Sequence, residues 1–423
     1  MNRMTFYAIV MLMMVPLMTM GQETGQQEQL QAMIREALRS NPELETAEQQ
    51  IIAKEQTVDQ TGALPDPKLT VGLANLPVNS FAMDQEPMTG KLISVMQMFP
   101  LGGKLGLNKK MAEQAVASEK FKKQEIRNNI ISRVKQAYYD LYAVDRSLEI
   151  ITENQKLMQQ FVEIAQTRYA TGSGLQQDVL RAQVELSKIK DDLLTWQQKR
   201  TSVAAKLNAL LDRPVNTNIP TTPDDLTGEI ATNPTEPVEQ TRPLLLAWQE
   251  MLNRSETAVT RSKRDYWPDL TLSAGYTQRD DLQSGAVMHD FLSFSASANL
   301  PIFLKKQRAN VRQKQAEKTA LASQYRTVLN NVRTDSISVA AEMERNSKRI
   351  KLYRDGIVLQ ARQSLDAALS GYQVDKVDFL TLINNWSTLQ NYELQEYRAQ
   401  ADYQKSLAQY EQIIGTSEFS IQR

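Results

Sequence analysis

Ile130 to Ile151 reads IISRVKQAYYDLYAVDRSLEII. Within it Ile130, Val134, Ala137, Leu141, Val144, Leu148 and Ile151 step alternately by four and three residues. That period places all seven on one stripe of an α-helix, and when sustained it signals coiled-coil packing. The register continues through Met158, Val162, Ala165 and Tyr169. Between 104 and 169 there is no Pro, and the only Gly is Gly106 at the start. The predicted helix covers about 104–170 and, at about 1.5 Å per residue, is on the order of 100 Å long. Thr171, Gly172, Ser173 and Gly174 stop it. A second helix, predicted over about 175–211, carries Leu175, Val179, Ala182, Leu186, Ile189, Leu193 and Trp196 in the same step. Ser173 and Gln176 are its expected capping box. The stretch therefore reads as a very long antiparallel helical hairpin with a tight glycine tip.

Outward from this hairpin the chain repeats itself. Pro65 and Pro268, Gly72 and Gly275, and Tyr169 and Tyr372 are all separated by 203 residues. A fixed internal offset marks a duplicated unit. The first repeat is assigned to 22–211, with strands at about 68–76 and 91–99, and the second to 244–423, with strands at about 269–279 and 290–300. The second repeat has its own long helices at about 305–370 and 377–414, joined by a tip from Gly371 to Lys376. Between the repeats, 212–243 is rich in Pro and reads as a connector. At the other end, Arg3, the apolar run from Thr5 to Met18, and Thr19-Met20-Gly21 have the form of a secretory signal peptide over 1–21. The expected mature chain starts at Gln22, and with no Cys after that site it is not lipidated at an N-terminal Cys.

Composition removes several classes of chemistry. Lys plus Arg and Asp plus Glu both number 49, so a net charge of zero gives no electrostatic case for nucleic acid. There is no Cys, which excludes thiolate metal ligands, cysteine nucleophiles and disulfides. The single His, His289, stands without a second ligand nearby in sequence. No catalytic constellation, metal site or cofactor site is expected, and the chain does not read as an enzyme.

The strands carry the remaining signal. Leu270, Leu272, Ala274 and Tyr276 alternate with Thr271, Ser273, Gly275 and Thr277, and Leu292, Phe294, Ala296 and Ala298 alternate with Ser293, Ser295, Ser297 and Asn299. Strands of about ten residues, apolar on one face and hydroxylated on the other, fit a transmembrane barrel wall. They also fit an ordinary antiparallel sheet with one buried face. Four strands cannot close a barrel, and an open edge in lipid would leave backbone groups unpaired. The barrel reading therefore requires more than one copy. Small residues such as Ala137, Ala165 and Ala182 would let neighbouring helices approach closely. Trp267, Tyr276, Phe81 and Phe291 lie near strand ends, where either interfacial aromatics or plain packing residues belong. Met83, Met88, Met96 and Met98 are irregularly spaced and read as loop and wall residues.

Tyr169-Ala170-Thr171-Gly172 followed by Asp178-Val179-Leu180-Arg181-Ala182-Gln183 resembles the hairpin-tip pattern of the TolC family of outer-membrane efflux proteins. In the second repeat, Tyr372-Gln373-Val374-Asp375-Lys376-Val377-Asp378-Phe379-Leu380 is similar to the version found in the metal-cation (CzcC/CusC-like) branch, with Asp375 where that branch usually has Gly. Met98-Phe99-Pro100-Leu101-Gly102-Gly103-Lys104 resembles the same branch's turn. The resemblance implies a mainly α fold with a β-barrel part. Each repeat would add a strand hairpin and a coiled-coil helical hairpin, and a homotrimer would form a 12-stranded outer-membrane barrel on an α-helical periplasmic tunnel. It further implies a passive exit duct, with metal cations as one candidate cargo, serving a periplasmic adaptor (a membrane fusion protein) and an inner-membrane RND-type transporter.

On that resemblance, Asp178, Asp375 and Asp378 are expected near the periplasmic entrance. They could form carboxylate rings facing the pore, or serve as local helix caps. The tips, with Arg168, Tyr169, Gly172, Ser173, Gly174, Tyr372 and Lys376, are the expected adaptor contacts. A periplasmic adaptor and a structural coiled-coil envelope protein are the rival readings. An adaptor would normally have one hairpin and not two at a fixed offset.

Overall fold

The computed structural model describes residues 25–222 and 241–415. The expected signal peptide lies outside the described residues, as does most of the connector. The first half contributes α1 (Gly25–Ser40), α2 (Pro42–Gly62), β1 (Lys68–Ala74), β2 (Gly90–Pro100), α3 (Lys104–Ala170) and α4 (Gln176–Leu210). The second contributes α5 (Pro243–Lys263), β3 (Asp269–Gln278), β4 (Phe291–Ala298), α6 (Leu304–Leu352), α7 (Val358–Gln373) and α8 (Phe379–Ile414).

α3 runs unbroken for 67 residues. The expected stripe is buried at Ile130, Val134, Leu141, Val144, Ile151, Met158, Val162 and Ala165, while Ala137 and Leu148 are half-buried. Burial extends well beyond a two-helix seam. Tyr138, Tyr142, Ile150 and Asn154 are covered too, because α3 packs against α4, α8, α5, α2 and α1. A heptad reading finds one seam, whereas the centre of this helix is enclosed on several sides. Toward the tips Met158, Phe161 and Ala165 of α3 share a core with Leu382, Trp386 and Leu389 of α8. Nearer the middle Ile131, Val134 and Tyr138 meet Leu30 and Ile34 of α1 and Leu207 of α4.

The expected single helix over 305–370 is interrupted. Tyr353–Ile357 forms a π turn between α6 and α7. The buried positions explain it. Val339, Met343, Asn346, Ile350 and Tyr353 follow the four–three step, and so do Leu365, Ala368 and Tyr372. Between Tyr353 and Leu365, however, the steps to Ile357, Ala361 and Leu365 are four, four and four, one residue more than the heptad allows. A π turn absorbs one extra residue and restores the seam to the same side.

The strands form one antiparallel sheet in the order β1-β2-β3-β4, and the central β2–β3 pair joins the two repeats. Register aligns the apolar residues of all four strands. Leu69, Val95, Ala274 and Phe294 lie in one row, and Val71, Ile93, Tyr276 and Leu292 in the next. The opposite face carries the rows Thr70, Ser94, Gly275, Ser293 and Lys68, Met96, Ser273, Ser295. The apolar face is uncovered in the single chain, with Val71 72% and Phe294 76% exposed. β1 and β4 are shorter than expected. Asn75 ends β1 by adopting φ 56°, and Asn299 after β4 turns its side-chain oxygen to the Asp269 N–H.

At the junction of sheet and helices, Gly102 and Gly103 adopt φ 74° and 72°. A Cβ on Gly102 would stand 3.1 Å from the Trp267 ring. The turn brings Lys104 under β3, where its ammonium donates to the Asp269 carboxylate at 2.7 Å and to the Trp267 carbonyl at 2.8 Å.

Toward the tip end of the helical body, the Trp386 indole N–H donates to Asn154 Oδ1 at 2.6 Å, a buried bond between α3 and α8. Asn154→Ala is expected to leave that N–H unsatisfied and to destabilise the helical body by about 1–3 kcal/mol. Urea unfolding followed by helical circular dichroism measures it.

Candidate functional site: the hairpin tips

The two tips are built on one backbone plan. In the first, the Ser173 N–H donates to the Arg168 carbonyl at 2.9 Å; in the second, the Lys376 N–H donates to the Gly371 carbonyl at 2.9 Å. Both bonds span five residues, and the two are 203 residues apart. The left-handed position is also equivalent: Gly172 has φ 76° and Asp375 has φ 63°. This is why Gly suits the position, and Asp is among the few side chains that tolerate it. Gly174 does not share this conformation. It is needed because a Cβ there would come within 2.9 Å of the Arg168 side chain.

The helices leaving the tips differ. Leu175, and not Ser173, is the N-cap residue of α4, and no side chain caps that helix. The expected capping box is absent because the Ser173 hydroxyl and amide both serve the Arg168 carbonyl at the end of α3. The equivalent residue in the second repeat, Asp378, does cap α8, its carboxylate accepting from the Thr381 N–H at 2.9 Å. Hydrogen bonds from Thr381 hold its pKa below the ordinary carboxylate range. Asp375 caps no helix.

Arg168 ties the two tips together. Its guanidinium donates to the Tyr372 carbonyl and the Asp375 carboxylate across the hairpins, and to the Ser173 carbonyl at 2.9 Å within its own tip. It also lies over the Tyr372 ring, 4.8 Å from the centroid. The Tyr372 hydroxyl in turn reaches Asp178 Oδ2 at 3.4 Å. Burial of the ring, then the nearby Asp178 carboxylate, push the phenol pKa up from its ordinary value. The three expected entrance acids thus sit together but in different states. Asp375 is paired with Arg168, Asp178 accepts from Tyr372, and Asp378 caps its helix. Tyr169, Gly172, Ser173 and Lys376 are exposed at the very end, whereas Tyr372 is buried and Arg168 is turned inward.

Two features of the structure escaped the sequence reading. Asp145 on α3, with a side chain 1% exposed, accepts from Arg200 Nε at 2.7 Å and from the Thr222 N–H at 2.9 Å, while Arg146 donates to the Thr222 carbonyl at 3.0 Å. Together they pin the start of the connector to the helices. The only signal was an adjacent Asp and Arg inside a buried stripe. The other is a set of exposed apolar side chains, Leu180, Val184 and Leu194 on α4 and Ile337 on α6. Among the described residues, no group of three or more His, Cys, Asp or Glu is placed to hold a metal ion, and no helix is long and apolar enough to cross a membrane.

Arg168→Ala is expected to accelerate amide exchange at both tips, 168–175 and 371–378, while leaving the α1 region unchanged. Hydrogen–deuterium exchange with mass spectrometry checks this. For Asp378 the sign follows from its lowered pKa. Its stabilising contribution is present above the ordinary carboxylate range and is lost as pH falls through the folded value. Asp378→Asn should therefore remove this residue's share of the acid-side dependence of the melting temperature but retain the cap. Asp378→Ala should lose both.

A sequence model of the outer membrane efflux protein family matches residues 33–213 and again residues 237–416. Among curated proteins none matches the chain significantly. Solved structures share the fold. The transmembrane channel protein CusC superposes with a TM-score of 0.81 at 17% identity, over 92% of each chain. The outer membrane protein VceC of Vibrio cholerae gives 0.78 at 18%, over 92% of this chain and 97% of its own. The MtrE outer membrane channel of Neisseria gonorrhoeae, in its open state, gives 0.76 at 16%, over 92% of this chain and 89% of its own. With both halves matched over most of the sequence, the chain belongs to the outer membrane efflux protein family.

Proposed function

We propose that the chain is the outer-membrane channel of a tripartite efflux pump, a passive duct assembled from three copies. The observation that carries this is the sheet. Among the described residues it has one mostly apolar face, an opposite face rich in Ser and Thr, and two unpaired edges, on β1 and β4. Exposed backbone edges are not tolerated in lipid, so a membrane role demands closure by further copies. Three copies supply twelve strands, and the exposed apolar side chains Leu180, Val184 and Leu194 on α4 and Ile337 on α6 suit helix contacts between neighbours.

On this reading the hydroxyl face lines a wet lumen. The tips lie at the periplasmic entrance, where Asp178 and Asp378 are repeated by symmetry and favour cations, while the charge of Asp375 is met by Arg168. Metal cations are the cargo class suggested by the turn sequences. The exposed tip residues Tyr169, Gly172, Ser173 and Lys376 are the surface offered to a periplasmic adaptor, with an RND-type transporter in the inner membrane. Gly174, Arg168 and Tyr372 shape that surface from behind.

Light scattering of the detergent-purified mature chain is expected to give a trimer, and planar bilayers should show channels. Asp178→Ala and Asp378→Ala should reduce cation preference. A soluble, non-conducting monomer would overturn the channel reading. Unchanged selectivity in both variants would reduce these acids to local structure. Cross-linking from Tyr169 and Lys376 to a co-expressed adaptor tests the docking surface, and failure at every tip position would remove it.

A further inference from the structure

The helices that leave the sheet open on cations. Neither α3 nor α6 has an acidic residue in its first turn, and neither N-cap, Gly103 or Phe303, supplies a side-chain hydrogen bond. α2, by contrast, is capped by Asn41 with Glu43 and Glu45 following, and α8 is capped by Asp378. A helix N-terminus carries partial positive charge and orphan N–H donors, so cations there are unfavourable unless an anion is near. Yet α6 opens with exposed Lys305, Lys306 and Arg308, and α3 exposes Lys109 and Lys110 within its second turn. Lys263 and Arg264, at the end of α5, are exposed in the same band.

The protein's own carboxylates do not neutralise this band. Asp269 is taken by Lys104, and Asp265 by Arg261 and by the Asn310 amide at 2.9 Å. Asp59, Asp66 and Glu113 are the exposed acids nearby, fewer than the cations. Directly beside the band, Leu300, Ile302, Phe303 and Trp267 are exposed at the ends of the strands. An apolar and aromatic rim followed within a turn or two by a ring of Lys and Arg is the pattern of a surface that meets an anionic membrane leaflet.

We infer that this collar binds anionic phospholipid headgroups of the leaflet on the side from which the helices leave. The exposed cations pair with the phosphates, and the apolar rim beside them sits against the acyl boundary. The inference rests on the sheet being the membrane-embedded part, and it adds a lipid class that the channel reading does not require.

The test uses the full mature protein in detergent micelles doped with phosphatidylglycerol or, at equal mole fraction, phosphatidylcholine. Binding is read with fluorescent lipid analogues, and stability from the melting temperature. Wild type is expected to bind phosphatidylglycerol more tightly and to melt higher with it, with the preference fading in molar salt as charges are screened. Each exposed cation is worth about fivefold. Lys305→Gln, Lys306→Gln and Arg308→Gln combined should weaken phosphatidylglycerol binding on the order of a hundredfold, with phosphatidylcholine binding unchanged. Lys188→Gln with Lys190→Gln on α4 should leave both as in wild type. If the triple variant does not fold, Lys109→Gln with Lys110→Gln serves in its place.

Equal binding of the two lipids by wild type would overturn the inference. So would a triple variant with undiminished phosphatidylglycerol preference, or competition by soluble glycerophosphate equal to that by lipid. A triple variant whose ion selectivity shifts while its lipid binding stays intact would place these cations in the lumen. Conductance of wild type in zwitterionic bilayers reports separately on the channel reading, so failure of one is not failure of the other.

Discussion

The seam where α3 meets α8 holds the two repeats in one body. Near the tips it is apolar, with Ile151, Met158 and Phe161 against Leu382, Trp386 and Leu389. It is fixed in register by the buried Trp386–Asn154 bond, and it ends in the Arg168 contacts with Tyr372 and Asp375. At the other end the β2–β3 pair does the same work with backbone hydrogen bonds. Slippage of one helix along the other would separate Trp386 from Asn154 and Arg168 from its partners together, so these contacts reinforce one arrangement.

Duplication gives the protein two tips with the same backbone, and divergence gives them different chemistry. Gly172 and Asp375 occupy the same left-handed position. Only the second has a side chain, and that side chain is the carboxylate that receives Arg168. Leu175 and Asp378 are equally matched, and only Asp378 can cap. An interaction between repeats thus arises at positions where an exact copy would have had none.

Charge buried among the helices serves a similar end. Asp145 is enclosed and receives Arg200 and Thr222, while Arg146 reaches the Thr222 carbonyl. Removing one member of such a set leaves an uncompensated buried charge, at a cost of about 3–5 kcal/mol. The contact fixes where the connector meets the helical body, which a purely apolar seam would leave unspecified.

From the sequence alone, the period of Ile130 to Ile151 determined the long helix, the 203-residue offset determined the duplication, and strict alternation in β3 and β4 determined a sheet with two unlike faces. These are local properties, set by which residues share a face at a period of 3.6 or 2. The tight glycine tip after Tyr169 was equally legible, as was the family resemblance in the tip motifs. The π turn was encoded in the extra residue between Tyr353 and Leu365, but it becomes visible only once the buried positions on both sides are known. The partners were decided by tertiary structure. That Arg168 reaches Asp375, that Ser173 closes α3 and does not open α4, and that Asp145 holds the connector all depend on contacts between residues far apart in the chain. No periodicity specifies such contacts, because they follow from how helix faces rotate when several neighbours pack on α3 at once.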